Sequence, residues 1–539
     1  MAIYVNQIGY YPNEKKKALS TKPCNFQIIR TADSKCVYDG VASAGKYDES
    51  AGEEVYSIDF DEVKECGEYY VLAGDRDRSV SFNIQEDLYK DVLRDSLKCL
   101  YFQRCGMELE EKYAGEYVHP ACHLKPSIML EDYINETEYP MEYDMSGGWH
   151  DAGDYGRYVS AGAVAVGHLL YAFELFPEKF NFELNIPESG NEIPDVLNEC
   201  YYELSWMLKM QDADGGVHHK LTAYRHPGFI MPECDDDTFL IFPVSSVSTA
   251  DFAAVMALAS RIYRKYMPEF AETALDAARL SAWWLSEHDM VPFVNPEGCN
   301  TGEYGDDDDA DERLWAYAEL VRADEDNRAK YLKRFNEMSS KCKGTPDFGW
   351  EDVSGMAYIS MLTGAELFSE KLLARYKKTV LEEADRLCEM VEHNGYALAM
   401  EPDDFVWGSN MVVLNRGMLL ALADILKDKD DAKYRDGVLA HLDYVFGRNA
   451  MDTSYVTGYG EHAFRNPHAR VTDQDGIDDP MPGWVSGGPF KTPCDPTAME
   501  VIPKGSAPMK CYVDDVRSYS TNEITIYWNT PLIFLCAFL

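Results

Sequence analysis

Two short segments place carboxylates where they could act on a bound substrate. The first runs Ser146-Gly147-Gly148-Trp149-His150-Asp151-Ala152-Gly153-Asp154-Tyr155-Gly156. Glycines on both sides let the backbone turn sharply, so Asp151 and Asp154, three residues apart, can point into one space. Such a pair can share a hydrogen-bonded water and hold it for in-line attack. A calcium loop or a solvated Asp-rich turn would carry the same residues. The second segment runs from Asp514 through Tyr519-Ser520-Thr521-Asn522-Glu523 into an apolar stretch that includes Trp528. A carboxyl against apolar surface has its charged form disfavoured, which suits an acid that must stay protonated near neutral pH. The alternative for Glu523 is an N3 capping role at a helix start, with Ser520 or Thr521 as the cap.

The elements that must position these loops change character near residue 86. Before it, short alternating runs at 3–5, 26–29, 55–60, 69–72 and 80–84 are separated by turns such as Pro12-Asn13, Asp39-Gly40 and Gly74-Asp75. That spacing predicts a small β-sandwich over residues 1–85. From about Asp87 the period is helical: Leu197, Cys200, Leu204 and Leu208 follow Pro194 at i, i+3 and i+4 steps, and 252–258, 314–320 and 411–426 behave likewise. Residues 86–539 are therefore expected to be all-α. The last stretch, 524–539, is apolar but too short and interrupted to span a bilayer, and a buried terminal helix is expected. Long loops rich in Gly, Pro and Asp lie between the helices, and such loops are retained mainly where they carry function.

The run 147–159, GGWHDAGDYGRYV, resembles the catalytic-base signature of glycoside hydrolase family 9, and 519–532, YSTNEITIYWNTPL, resembles its catalytic-acid signature. A third stretch, Phe446-Gly447-Arg448-Asn449 through Ser454 to Gly458 and on to Asn466-Pro467-His468-Ala469-Arg470, resembles its substrate-binding loop. There the family usually has two adjacent histidines, whereas Ala469 follows His468 here. The opening Val5-Asn6-Gln7-Ile8-Gly9-Tyr10 resembles the immunoglobulin-like module of one branch. The resemblance covers nearly the whole chain and implies an (α/α)6 barrel. It implies Asp154 as general base, Asp151 as its water-orienting partner and Glu523 as general acid of an inverting hydrolase, with base and acid roughly 6.5–9.5 Å apart. It also implies sugar contacts from His468, Arg470, Trp407 and Tyr519, with His219 as a further subsite candidate. Arg470 could equally tie loop carbonyls, and Trp407 could pack in the barrel.

Cys105, Cys122, His123 and His150 are two thiols and two imidazoles, a zinc donor set, although the adjacent Cys122-His123 pair is an unusual spacing. Buried thiols and a core histidine are the alternative. The resemblance implies structural zinc on these four, anchoring the base loop through His150. Residues 306–312 pack six carboxylates into seven positions. A solvated acidic loop is one reading, and calcium on Asp308, Asp311 and Glu312 is the one the resemblance favours.

Composition sets the outer bounds. With 46% hydrophobic and 27% charged residues the chain has the profile of a globular protein. Its 50 Lys+Arg against 93 Asp+Glu leave a net charge of −43, which disfavours nucleic acid and anionic membranes and suits a neutral partner such as a β-glucan or gluco-oligosaccharide. No basic and apolar leader opens the sequence, so a cytoplasmic enzyme is expected, with a secreted one the alternative. The 14 cysteines are then free thiols or metal ligands. A cytoplasmic enzyme would meet short glucans, so a cellodextrinase or exo-glucosidase-like activity is expected, with loops 212–248 and 471–510 available to close one end of a cleft. The alternatives are an endo-β-1,4-glucanase, an exo-glucosaminidase and a carbohydrate-binding protein without catalysis.

Overall fold

The structure, a computed structural model, describes every residue of the chain except 75, 343, 429 and 430. Asp75, half of the expected Gly74-Asp75 turn, lies outside the described residues. Alternation shapes the N-terminal part: in Gly67–Ala73 the side chains of Tyr69, Val71 and Ala73 are buried and their neighbours are not. One sheet runs in the order Ile3–Tyr4, Lys17–Ser20, Glu53–Asp59, Lys46–Asp48. The other runs Gly9–Tyr10, Phe82–Ile84, Gly67–Ala73, Asn25–Arg30, Lys35–Val41. Val5, Ile28, Ile58, Phe60, Tyr69, Val71 and Phe82 fill the space between them.

Twelve helices of ten or more described residues follow: α1 (Lys90–Phe102), α2 (Val159–Leu175), α3 (Asp195–Met207), α4 (Ser246–Tyr263), α5 (Pro268–Glu287), α6 (Ala310–Ala323), α7 (Arg328–Met338), α8 (Ser354–Thr363), α9 (Glu370–His393), α10 (Ser409–Leu426), α11 (Lys433–Val445) and α12 (Ile526–Phe538). Packing sorts them into two rings. In α2 every residue from Val159 to Phe173 is buried, as an element covered on all sides must be. In α9 only Tyr376, Val380, Ala384, Leu387 and Cys388 are buried, a single stripe at helical spacing. The inner helices α2, α4, α6 and α8 pack in sequence. The ring continues through α10 to α12, which closes on α2. The amphipathic helices α1, α3, α5, α7, α9 and α11 back them from outside. The architecture is an (α/α)6 barrel preceded by a β-sandwich.

Because inner and outer helices alternate along the chain, the inner ones run parallel. The loop feeding each inner N-terminus therefore opens at one mouth of the barrel. The candidate residues sit on those loops: 146–158 before α2, 208–245 before α4, 301–309 before α6, 405–408 before α10 and 519–525 before α12. The sandwich braces the same end. The Gln7 N–H donates to the Phe446 carbonyl at 2.8 Å, Gln7 Oε1 accepts from the His462 N–H at 2.8 Å, and Asn6 Nδ2 donates to Asp443 at 2.9 Å.

Candidate active site

The base loop is held by its glycines. Gly147 and Gly148 have φ of 103° and 76°, a region that other residues enter at a cost. Arg157 Nη1 ties down their turn by donating to the carbonyls of Met145 and Gly147 at 2.7 and 2.5 Å. Three chain segments then lock together by backbone alone. Ile526 N–H donates to the Asp151 carbonyl at 2.8 Å, Arg470 N–H to Gly153 at 3.0 Å, and His468 N–H to Asn522 at 2.9 Å. A Cβ at position 153 would lie 1.9 Å from the His468 carbonyl oxygen, so only glycine permits this approach. Base loop, binding loop and acid loop thus form one rigid body.

Glu523 is not an N3 cap. It follows the short helix Tyr519–Asn522 and precedes α12, whose cap is Thr525, with its side chain accepting from Trp528 N–H. Burial pushes the Glu523 carboxyl well above the usual range, and the negative charges of Asp154 and Asp151 add to that. Asp151 is 2% exposed, and its Oδ2 accepts a 2.6 Å hydrogen bond from Tyr304 while Oδ1 has no hydrogen-bond partner among the described residues. Burial raises its pKa as well, against the Tyr304 bond. Burial also acts upward on Asp154, yet His226 Nδ1 at 3.2 Å from Oδ2, the charge of Arg470 and the Gly156 N–H outweigh it and hold this carboxyl below its ordinary value. Neighbouring carboxyls with opposite displacements are the arrangement that separates a base from an acid.

The remaining residues fall in different places. Trp407, 41% exposed, lies 5.5 Å from the Tyr519 ring, which is 5.9 Å from His468. Together they make an aromatic wall beside Glu523. His468 donates from Nδ1 to the Val516 carbonyl at 2.6 Å, which fixes its tautomer. Arg470 spends Nε on the Pro227 carbonyl and Nη1 on the Gly153 carbonyl, the loop-tying role rather than a free sugar contact. His219 does not reach the cleft. It is 1% exposed, stacks on Phe293, and contacts the Ser245 hydroxyl and the Glu303 carbonyl through its two nitrogens. Its effect is to hold the strained residue beside Glu303: Tyr304, at φ 45°, which bonds Asp151. The sequence offered no signal for Tyr304 or His226, since neither lies in a motif.

Cys105, Cys122, His123 and His150 converge, with all four ligand atoms within 4.8 Å of one another. Cys105 Sγ is 3.7 Å and His150 Nε2 3.4 Å from His123 Nδ1. A tetrahedral ion with ligand bonds of about 2.3 Å to sulfur and 2.05 Å to nitrogen needs edges of about 3.6 and 3.3 Å, so the donors fit. His123 Nε2 lies 3.3 Å from Asp235 Oδ2, the outer carboxylate that orients a ligating imidazole. Of the expected acidic trio, Asp311 and Glu312 act on one another, whereas Asp308 stands apart. Asp308 is exposed and accepts from the Ala310 N–H at the start of α6, and Asp311 accepts from Val353 N–H. Among the described residues of this region, buried carboxylate oxygens without a hydrogen-bond partner belong to Glu312, one of the trio, and to Asp306, Asp309 and Asp251.

A family model described as Glycosyl hydrolase family 9 matches residues 89–536, and one described as Cellulase N-terminal ig-like domain matches residues 1–78. A "Cellodextrinase" of Butyrivibrio fibrisolvens is 40% identical over 99% of this chain and 98% of its own. "Endoglucanase D" of Acetivibrio thermocellus is 36% identical over 99% of this chain and 83% of its own. Among solved structures, AaCel9A in complex with cellobiose-like isofagomine superposes with a TM-score of 0.91 at 34% identity, covering 100% of this chain and 99% of the other. A "Zn-binding triple mutant of GH family 9 endoglucanase J30" gives 0.90 at 32% identity, covering 98% and 99%. The chain belongs to glycosyl hydrolase family 9 and is a cellulase-type glycoside hydrolase with an N-terminal immunoglobulin-like domain.

Proposed function

We propose that this enzyme cleaves β-1,4 bonds of short gluco-oligosaccharides with inversion, Asp154 acting as base, Asp151 as its partner and Glu523 as acid. The observation that carries the reading is the opposite displacement of the Asp154 and Glu523 carboxyls on loops locked by backbone hydrogen bonds. Asp154 is ionised and takes a proton from the attacking water. Asp151 Oδ1, without a hydrogen-bond partner among the described residues, steadies that water. Glu523 gives its proton to the departing glycosidic oxygen, and Trp407, Tyr519 and His468 line the sugar's path. The names of the similar cellodextrinase and endoglucanase support a β-1,4-glucan substrate. The 224–237 loop, which brings His226 to 3.2 Å from Asp154, supports short chains over polymers.

Zinc would be held by Cys105, Cys122, His123 and His150 with no open position, so it would supply shape rather than chemistry. Buried carboxylates this close need a counter-charge, which supports calcium at Glu312, Asp306 and Asp311, with Asp251 beside them. Proton NMR of the first products from cellotetraose tests the mechanism. α-Anomers appearing first are the expected result, and β-anomers first would make Asp154 a nucleophile.

A further inference from the structure

The loop from 224 to 237 is not a loose flap. Asn300 Oδ1 accepts from the His226 N–H at 2.9 Å, and the Tyr224 hydroxyl donates to the Glu297 carbonyl at 2.6 Å. Arg470 Nε holds the Pro227 carbonyl at 3.2 Å, and the Tyr155 hydroxyl holds the Ile230 carbonyl at 2.5 Å. Phe229 sits edge-on to His468 at 5.4 Å, with the Arg470 guanidinium over its ring. These anchors come from the loop before α6, the binding loop and the base loop itself. Between them the side chain of His226, 32% exposed, is set against the base.

Its Nδ1 lies 3.2 Å from Asp154 Oδ2, off the straight line of an ideal hydrogen bond, and this buried nitrogen makes no hydrogen bond elsewhere among the described residues. The Gly156 N–H reaches the same oxygen at 3.3 Å. With both contacts on Oδ2, Oδ1 is the oxygen left for a water. We propose that His226 is a positioning residue of the catalytic base: it fixes the plane of the Asp154 carboxylate and favours its ionised form, so that Oδ1 meets the nucleophilic water. This rests on Asp154 being the base. The other groups that act on this carboxylate include Arg470 and Lys220, which share the task, His468 and Tyr158, which face it, and Asp151 and Glu523, which oppose ionisation.

The test compares His226→Phe, which keeps the ring and loses the donor, with His226→Asn, whose amide nitrogen occupies nearly the position of Nδ1. A donor to a charged acceptor is typically worth about a 10- to 150-fold effect. His226→Phe should lower kcat on cellotetraose by about 10- to 100-fold with KM changed less than about threefold. The acid limb of its kcat/KM profile should move to higher pH, because Asp154 has lost a group that stabilises its charge. His226→Asn should recover kcat to within about threefold of wild type. An unchanged kcat in the Phe variant, an effect confined to KM, an unmoved acid limb, or an Asn variant as poor as Phe would each overturn the proposal. The melting temperature of each variant, measured alongside, separates misfolding from a local effect, and the Asn variant decides if Phe fails to fold. The assignment of Asp154 is judged separately, on the wild-type product anomer and on Asp154→Asn. If wild type inverts and Asp154→Asn is inactive while His226→Phe is normal, only the role of His226 is lost.

Discussion

Replacing Glu523 by Gln should make the protein more stable and nearly inactive, and the gain in stability should grow with pH. In the unfolded chain a glutamate titrates near about 4.3. In the fold its pKa is raised, first by burial and then by Asp154 and Asp151. Between those two values the native site keeps a proton that the unfolded chain has released. Stability from this group is therefore complete below about 4.3 and declines as pH rises toward the folded pKa. For a single site the slope is at most about 1.4 kcal/mol per pH unit. Glutamine removes that slope while keeping the shape. An unfolding entropy of about 2.1 cal/mol/K per residue over 539 residues gives about 1.1 kcal/mol/K. The melting temperature of the Gln variant minus that of wild type should then widen by at most about 1.2 °C per pH unit, or about 3 °C from pH 5 to 7.5. Tryptophan fluorescence melts at constant ionic strength measure this directly. On cello-oligosaccharides the same variant should lose about 10²–10⁴-fold in turnover, and much less on aryl glycosides whose leaving groups need little protonation. A gap in melting temperature that stays constant or narrows with pH would mean that Glu523 ionises as it would in water, and the assignment of the acid would fail with it.

Tyr304→Phe deletes the 2.6 Å bond to Asp151 and should cost about 10- to 100-fold in kcat/KM with little change in melting temperature; an activity near wild type would show that Asp151 needs no such anchor. Cys122→Ser or His123→Ala should lower melting temperature and turnover together, because His150 and Asp151 are adjacent and Asp235 joins His123 to the loop carrying His226. Elemental analysis finding no zinc in protein purified without chelators would sink that idea. On carboxymethylcellulose, sugar release should run ahead of viscosity loss; a steep viscosity drop at low sugar release would mean internal cleavage.

What the sequence made legible is what a contiguous motif can carry. Asp151, Asp154 and Glu523 lie in glycine-bounded or apolar-bounded runs whose local chemistry already suggests opposite ionisation. The helical part was readable from its 3.6-residue period, and the sandwich from alternation, although Lys35–Val41, with no fully buried residue, gave no such pattern. Long-range convergence was not readable. His219 looked like a sugar ligand beside His218 and Lys220, yet the parallel inner ring turns it inward to hold the Glu303 carbonyl. Asp308 looked like a cation ligand, yet it is exposed and turned to the Ala310 N–H, while Asp306 keeps the buried carboxylate oxygen. Tyr304 and His226 follow the same logic in reverse. Each sits on a loop before a different inner helix, α6 and α4, with no motif around it. They meet Asp151 and Asp154 because six parallel inner helices bring their leading loops to one mouth. In such a barrel the base and acid can be read from their own neighbourhoods. The groups that tune them come from other loops, and those are where relatives with the same catalytic carboxyls can differ in pH range and chain-length preference.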